Sequence, residues 1–177
     1  MLSFDEMVSK LRASLPPSRF VHSVGVMDCA VSLALRYGAD VQKSRIAGLL
    51  HDCAKPLSSE EMLEAIERCG IELYEGEEKY PALLHAPAGS AVAREEYGVT
   101  DEEILRAIRR HTVGAKDMKL LDAVIYVADY IEPNRKPFPG LEGIRDLAEK
   151  DLMEAKVACA DRTREYCEQR GLPVFSF

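Results

Sequence analysis

The sequence predicts an all-α fold, a bundle of about seven to nine helices. Residue pairs that cap helix N-termini recur along the chain, and glycine and proline stop signals follow them. Between these marks the apolar residues recur at helical spacing. No segment alternates apolar and polar residues between tight-turn dipeptides, so no β-hairpin is predicted. The 177 residues suit a single domain spanning 1–177.

Helix starts and ends follow from local chemistry. The predicted capping boxes pair Ser3 with Glu6, Ser58 with Glu61 and Thr100 with Glu103. The predicted stops are Pro16-Pro17 after the first helix, Gly38 after the second, Pro56 after the third, which starts near Val41, Gly70 after the fourth and Tyr97-Gly98 after the sixth. The second helix carries two adjacent apolar stripes and is therefore expected to be contacted on several sides.

Two segments read as loops, and the C-terminus has an apolar tail. Residues 70–81 are acidic and aperiodic, and residues 133–140 contain three prolines between the seventh helix and a polar C-terminal pair of helices. The tail, residues 173–177, either docks on a partner or packs on its own core.

Composition excludes several classes of protein. The chain is 47% hydrophobic, which is too high for a disordered chain, and its net charge of -7 argues against a general nucleic-acid binder. No stretch approaches the roughly 18 consecutive apolar residues of a membrane span. The acidic N-terminus lacks the basic start of an export signal, and the five scattered cysteines form no CxxC pair. We therefore expect a cytoplasmic protein with reduced thiols and neither nucleic acid nor membrane as partner.

The four histidines and two carboxylates carry the chemical signal. Asp52 directly follows His51 at the end of an apolar helix, and Asp129 lies near the end of the mostly apolar run 120–129. A carboxylate buried there costs several kcal/mol unless a cation or hydrogen-bond donors compensate it. The remaining histidines are His22, His85 and His111. Imidazoles with carboxylates suit iron, manganese or zinc, and six candidate ligands exceed the four of a closed zinc site, which indicates two ions or open positions.

The ordered set of His22, His51-Asp52 and Asp129 resembles the HD-domain metal phosphohydrolases, whose signature is H…HD…D on a helical bundle. Further motifs extend the likeness to the YqeK-type subfamily over about residues 15 to 170. They are Arg19-x-x-His22, His51-Asp52-x-x-Lys55, His85-x-Pro87-x-Gly89, His111-Thr112-x-Gly114, the run from Ala128-Asp129-Tyr130 to Pro133-x-Arg135, and Phe138-Pro139-Gly140-Leu141-Glu142.

This resemblance implies an enzyme that hydrolyses diadenosine tetraphosphate symmetrically into two ADP molecules, with a dinuclear centre that usually contains iron. Manganese, cobalt or zinc remain open as the metal. The likeness assigns one ion to His22, His51, Asp52 and Asp129. It assigns the second ion to His85 and His111, with Asp52 bridging.

Two bridged divalent ions can lower the pKa of a shared water and orient the resulting hydroxide at phosphorus. In a protein of charge -7 the polyphosphate then needs local cations, and Arg19, Lys55 and Arg135 lie beside the ligands. We expect Asp52, Lys55 and Arg19 to be catalytic. The expected substrate-binding residues are Arg19, Lys55, Thr112, Tyr130 and Arg135. Alternatively, each of these basic residues is a solvent-exposed charge at the end of a helix.

Other polar and aromatic residues have less definite expected roles. A further basic cluster is expected to be a solvated face: Arg106, Arg109, Arg110, Lys116 and Lys119. Asp122 shares a helix face with Asp129 and is the reserve ligand candidate. Aromatic walls for adenine are available from Tyr80, Tyr126, Tyr130 and Phe138.

Two alternatives stay open at this stage. In the first, the chain is an HD phosphohydrolase for another nucleotide: a nucleoside monophosphate, a deoxynucleoside triphosphate or a cyclic dinucleotide. In the second, it is a non-catalytic nucleotide-binding module with a structural metal. The expected partner is in each case a small nucleotide. A homodimer is the expected assembly because it is the commonest one among soluble enzymes.

Overall fold

Helix signals dominate the structure as they dominate the sequence. The computed structural model describes residues 1–175, which contain nine α-helices and no strand, so the all-α prediction is confirmed. The helices are α1 (Phe4–Ser14), α2 (Pro17–Tyr37), α3 (Val41–Leu50), α4 (Ser59–Arg68), α5 (His85–Tyr97), α6 (Glu102–Arg110), α7 (Leu120–Ile131), α8 (Leu141–Lys150) and α9 (Leu152–Gln169).

Two of the three predicted capping boxes are present. The Ser3 and Ser58 side chains each accept a hydrogen bond from the backbone three residues on, and the glutamate there accepts one in return. The box predicted at Thr100 is wrong. Asp101 caps α6 instead, because its carboxylate accepts from the backbone N–H groups of both Glu103 and Ile104.

Two predicted helix ends also need correction. The third helix ends at Leu50 rather than at Pro56, and turns carry the chain from His51 to Pro56. Gly98, with φ of 68°, ends the fifth α-helix and not the sixth, because the loop that starts at Gly70 contains only a short 3₁₀ turn, Glu77–Lys79.

Helix α7 is largely buried and packs against α2, α3, α6, α8 and α9. Its side chains from Ala123 to Ile125 are fully buried, and so are Val127 and Ala128. Helix α2 packs against α1, α3 and α7, so its expected contact on several sides is confirmed. Three of the helices that carry or lead into predicted ligands, α2, α3 and α6, therefore pack directly on α7.

Helices α2 and α3 approach each other closely at a glycine. A Cβ atom at Gly48 would lie only 2.8 Å from the Cα atom of Met27, so α3 needs a residue without a side chain here. This contact brings the end of α3 against the middle of α2. It fixes the position of His51 relative to α2.

The C-terminal tail returns to the domain as far as it is described. The Phe175 ring lies edge-on to the Tyr80 ring, with centroids 6.4 Å apart. Ser176 and Phe177, the rest of the predicted docking tail, lie outside the described residues. Within residues 1–175 no helix combines the length and hydropathy needed to cross a membrane.

Candidate metal centre

Five helices or helix ends bring all six predicted ligands together around α7. His22 lies on α2, His51 and Asp52 directly follow α3, and His85 is the first residue of α5. His111 directly follows α6, and Asp129 lies in the last turn of α7. All four histidines and Asp52 are buried, and Asp129 is partly buried.

One half of the cluster joins α2, α3 and α7. The Nε2 atom of His22 lies 3.1 Å from Oδ1 of Asp129 and 3.2 Å from Nε2 of His51. Oδ2 of Asp52 lies 3.8 Å from Nε2 of His22 and 3.6 Å from Nε2 of His51. Two imidazoles and two carboxylates thus converge on one point.

The other half joins α5 and α6. Nε2 of His85 lies 3.2 Å from Nε2 of His111, and Oδ1 of Asp52 lies 3.4 Å and 3.6 Å from these two atoms. The two oxygens of Asp52 therefore face different histidine pairs. A carboxylate in this position can contact a group on either side of it. The hydroxyl oxygen of Thr112 lies 3.1 Å from both Nε2 atoms.

All four imidazoles turn the same nitrogen inward. The Nδ1 atoms of His51, His85 and His111 lie 2.7 to 2.8 Å from backbone carbonyl oxygens, which only accept hydrogen bonds. The Nδ1 atom of His22 lies 3.1 Å from Oε1 of Glu132. Each Nδ1 therefore donates a proton, and in the neutral ring the Nε2 lone pair faces the cluster.

The charges of the cluster favour a bound cation, because its two carboxylates are held in the ionised form. Burial would raise the pKa of both Asp52 and Asp129, but neighbouring histidines and, at Asp129, Arg135 outweigh it, and both pKa values are lowered. Burial lowers the pKa of His51, and with the help of His111 and Lys55 lowers that of His85 to about 3. Burial opposes the shift of His22, yet its hydrogen bonds to Asp129 and Glu132 raise its pKa.

These observations fit a divalent metal. Imidazole lone pairs that face one another at 3.2 Å repel unless a cation lies between them, and the deprotonated carboxylates supply the balancing charge. The ligand types are those preferred by first-row transition metals rather than by calcium. Two groups of donor atoms are close enough to hold an ion: His22, His51 and Asp129, and His51, Asp52 and His111.

The three predicted phosphate-binding cations lie beside the carboxylates. Arg19 donates to Oδ2 of Asp52 at 2.9 Å, and Nη1 of Arg135 lies 3.6 Å from Oδ1 of Asp129. Lys55 is half-buried, and burial lowers its pKa despite the attraction of Asp52. The Arg19 side chain is 41% exposed, so its guanidinium also faces solvent at the mouth of the cluster.

The predicted aromatic residues fall into separate places. The Tyr130 ring packs edge-on against Phe138, and the Arg135 guanidinium lies over it, 5.9 Å from the centroid of the Tyr130 ring. Tyr126 instead lines a cavity of about 360 Å³ that begins at Thr112. Much of this cavity is apolar, and its lining includes Leu83, Val113, Met118, Val157 and Phe175. Thr112 lines this cavity, and its hydroxyl oxygen lies 3.1 Å from Nε2 of His85 and of His111.

The expectation of a solvated basic face is wrong for the three arginines of α6. Arg106 and Arg110 both donate to the fully buried carboxylate of Asp122. Arg109 donates to the fully buried carboxylate of Glu77. Asp122 also accepts from the Lys119 backbone, so the reserve ligand is used in ion pairs and in capping α7.

Glu132 is the residue of this site to which the sequence analysis gave no role. Its carboxylate is 1% exposed and accepts from the ring of His22. The available signals were its place in the motif run from Ala128 to Arg135 and its spacing of three residues after Asp129. The ion pair between Glu77 and Arg109 was also missed, since these residues are 32 positions apart.

Comparisons with known proteins match the part of the chain that holds the six candidate ligands. The family model described as "HD domain" matches residues 19–134, which include His22 through Asp129. The symmetrical bis(5′-nucleosyl)-tetraphosphatase of Bacillus subtilis is 44% identical over 97% of this chain and 91% of its own length. The protein of the same name from Halalkalibacterium halodurans is 41% identical over 93% of this chain and 87% of its own length.

A solved structure has the same fold at close similarity. It is the crystal structure of a protein from Clostridium acetobutylicum described as an HD superfamily hydrolase involved in NAD metabolism. The TM-score is 0.93 at 42% identity, and the match covers 98% of this chain and 91% of the other.

Proposed function

Because the chain belongs to the HD-domain family, we propose that it is a metal-dependent hydrolase that cuts diadenosine tetraphosphate symmetrically into two ADP molecules. The observation that carries this proposal is the position of Asp52, whose two oxygens face different histidine pairs. The names of the Bacillus subtilis and Halalkalibacterium halodurans relatives supply the substrate class. In symmetrical cleavage, water adds to one of the two central phosphorus atoms, and the central anhydride bond breaks to release the second ADP.

We propose two ions per chain, with iron as the metal. His22, His51, Asp52 and Asp129 would hold one ion, and His85 and His111 would hold the other, with Asp52 shared between the two. When bound, such ions supply Lewis acidity, which lowers the pKa of a water molecule and neutralises charge on phosphoryl oxygens. The inward lone pairs of the four Nε2 atoms support this assignment.

Arg19, Lys55 and Arg135 are proposed to bind the polyphosphate. Each lies beside a carboxylate of the cluster, so an anionic chain that reaches Asp52 or Asp129 also reaches these cations. An arginine can hold two phosphoryl oxygens at once, whereas Lys55 acts as a point charge. The chain carries a net charge of -7, so these local cations, and not the overall field, must attract the substrate.

One nucleoside of the substrate is proposed to occupy the cavity that begins at Thr112. The cavity volume of about 360 Å³ and its apolar lining suit a purine nucleoside, and Tyr126 offers an aromatic wall. Lys116, Lys156 and Arg164 also line it, so the cavity offers cations to an anionic ligand. Thr112 links this cavity to the ends of His85 and His111.

Product analysis tests the proposal directly. Protein reconstituted with iron or manganese is incubated with diadenosine tetraphosphate, and the nucleotides are resolved by chromatography. ADP as the sole product supports symmetrical cleavage. ATP together with AMP would refute the register of attack. No turnover by the fully metallated protein would refute the substrate, and nucleoside monophosphates, deoxynucleoside triphosphates and cyclic dinucleotides would then be assayed.

A further inference from the structure

Glu132 is a buried anion beside the metal cluster. It follows α7 directly and is 1% exposed, and burying a carboxylate is costly unless it is paired and hydrogen-bonded. Among the described residues its only charge partner within ion-pair distance is His22, with Oε1 3.1 Å from Nδ1. Oε2 accepts from the backbone N–H of Asn134 at 2.6 Å. Both oxygens are therefore engaged and fixed in place.

His22 differs from the other three histidines in this partner. His51, His85 and His111 each donate Nδ1–H to the carbonyl oxygen three residues earlier, namely those of Gly48, Ala82 and Ile108. His22 lies in the interior of α2, where the carbonyl oxygens are used by the helix itself. Its Nδ1–H instead faces the carboxylate of Glu132, the residue that directly follows α7. A charged acceptor holds the ring more firmly and makes Nε2 a better metal ligand.

Helix α7 holds both nitrogens of the His22 ring. Asp129 lies 3.1 Å from Nε2, and Glu132, one helical turn later, lies 3.1 Å from Nδ1. Asp129 lies in the last turn of α7 and Glu132 directly follows it, so the end of this helix places both acids around the His22 ring. The ring of His22 is therefore oriented by the helix that also supplies a proposed ligand for the same ion.

A glycine on α2 makes room for the Glu132 carboxylate. A Cβ atom at Gly25 would lie closer to Oε2 of Glu132 than real Cβ contacts allow, and 3.0 Å from the side-chain nitrogen of Asn134. Contacts that short do not occur, so any side chain at this position would displace the carboxylate. Gly25 has no positive φ value, so backbone conformation does not explain the glycine. The close approach of Glu132 does.

We propose that Glu132 is a positioning residue that orients His22 and strengthens the binding of one of the two ions. Among the four histidines only His22 donates to this carboxylate, since the other three imidazoles donate to backbone carbonyls. Loss of Glu132 should therefore weaken the ion held through His22 and leave the ion at His85 and His111 largely unchanged. The inference rests on the proposed two-ion site.

Two variants remove this contact in different ways. Glu132→Gln keeps the shape but removes the charge, and it leaves either the ring of His22 or the N–H of Asn134 without its acceptor. Gly25→Ala keeps the charge but displaces the carboxylate. Gly143→Ala on α8 is the matched control, because a Cβ there meets nothing within 4 Å. Alanine favours helix in both glycine variants, so helix propensity cannot explain a loss at Gly25.

The experiment is a calorimetric titration of the full, metal-stripped chain with Mn²⁺ alone. In Glu132→Gln and Gly25→Ala one binding event should weaken by about 10- to 100-fold, as for other outer partners of metal-bound histidines. The second event and the Gly143→Ala control should match the unchanged chain. As a further readout, the Nδ1–H proton resonance of His22 in the zinc-loaded protein should move upfield in Glu132→Gln.

Other outcomes would overturn the inference. Equal weakening of both ions would indicate a general structural defect, and binding no weaker than in Gly143→Ala would show that Glu132 does not support His22. Because no substrate is present, these results are independent of the proposed hydrolysis. If the unchanged chain binds one ion, the two-ion proposal fails. The response of that ion to Glu132→Gln then decides whether Glu132 positions His22.

Discussion

The buried ion pair between Glu77 and Arg109 should be one of the costliest contacts to break in this bundle. Glu77 is fully buried in the loop before α5, and Arg109 is 9% exposed on α6. Arg109 donates to both oxygens of Glu77 and to the carbonyl oxygen of Glu72, and its guanidinium lies 4.2 Å from the centroid of the Tyr74 ring. The substitution Arg109→Met keeps most of the apolar stem and removes all three hydrogen bonds.

The expected cost follows from the charge left behind. Removing one partner of a buried pair leaves an uncompensated ion and costs about 3–5 kcal/mol. At about 1.4 kcal/mol for each tenfold, this lowers the folding constant by roughly two to nearly four orders of magnitude. A typical domain has about 5–15 kcal/mol in total, so the loss in Arg109→Met takes a large part of the free energy of unfolding.

Urea unfolding followed by circular dichroism measures this cost. Arg68→Met is the matched control, because Arg68 also binds a carboxylate through two nitrogens, that of Glu95 at 2.8 Å. The Arg68 side chain is 57% exposed, and exposed pairs contribute only about 0.2–1 kcal/mol. A loss in Arg109→Met no larger than in Arg68→Met would refute the reasoning. The double variant Glu77→Leu/Arg109→Met should recover part of the loss, since it removes both buried charges.

Four further predictions concern packing, pH and metal. Gly48→Ala should destabilise the protein by about 1–3 kcal/mol in urea unfolding, because its Cβ would meet the backbone of Met27 at 2.8 Å, whereas Gly143→Ala should not. Burial raises the pKa of Cys159 from 9.0 to about 12. The thiol's contribution to the free energy of unfolding is therefore complete below pH 9.0 and is lost as the pH rises towards 12. Cys159→Ala should make the free energy of unfolding fall less steeply over this pH range. Removal of the metal with a chelator should lower the melting temperature in scanning calorimetry, because a metal at 100 times its Kd adds about 2.7 kcal/mol to the free energy of unfolding. Asp52→Ala should keep its helical circular dichroism while turnover of diadenosine tetraphosphate falls more than about 100-fold; unfolding on metal loss would instead make the metal structural.

The sequence predicted the parts of this protein that depend on local chemistry or on residue type. Ser3 and Ser58 cap their helices because a capping box needs only four consecutive residues. Asp52 and Asp129 were identified because they end mostly apolar runs, and their ordered pattern with the four histidines completed the six candidate ligands. The structure places all six together, with the two oxygens of Asp52 facing different histidine pairs.

Long-range pairing is what the sequence did not reveal. Whether Arg109 faces solvent or Glu77 depends on how a loop folds over α6, and local pattern carries no information about that. Asp122 shares a helix face with the ligand candidate Asp129, yet it pairs with Arg106 and Arg110. Glu132 stands 110 residues from His22, so only the docking of α7 on α2 reveals their contact.

The separation of the ligands along the chain gives the order in which the centre can be assembled. His22 and His51 are 29 residues apart, and His85 and His111 are 26 apart, so each pair comes from a local pair of helices, α2 with α3 and α5 with α6. Closing such short segments costs less chain entropy than closing long ones, so local contacts of this kind tend to form early in folding. Helix α7 is the long-range closure that adds Asp129 and Glu132. A chain that has formed both histidine pairs but has not docked α7 lacks these acids, and a complete ligand set therefore requires the native topology of the whole bundle.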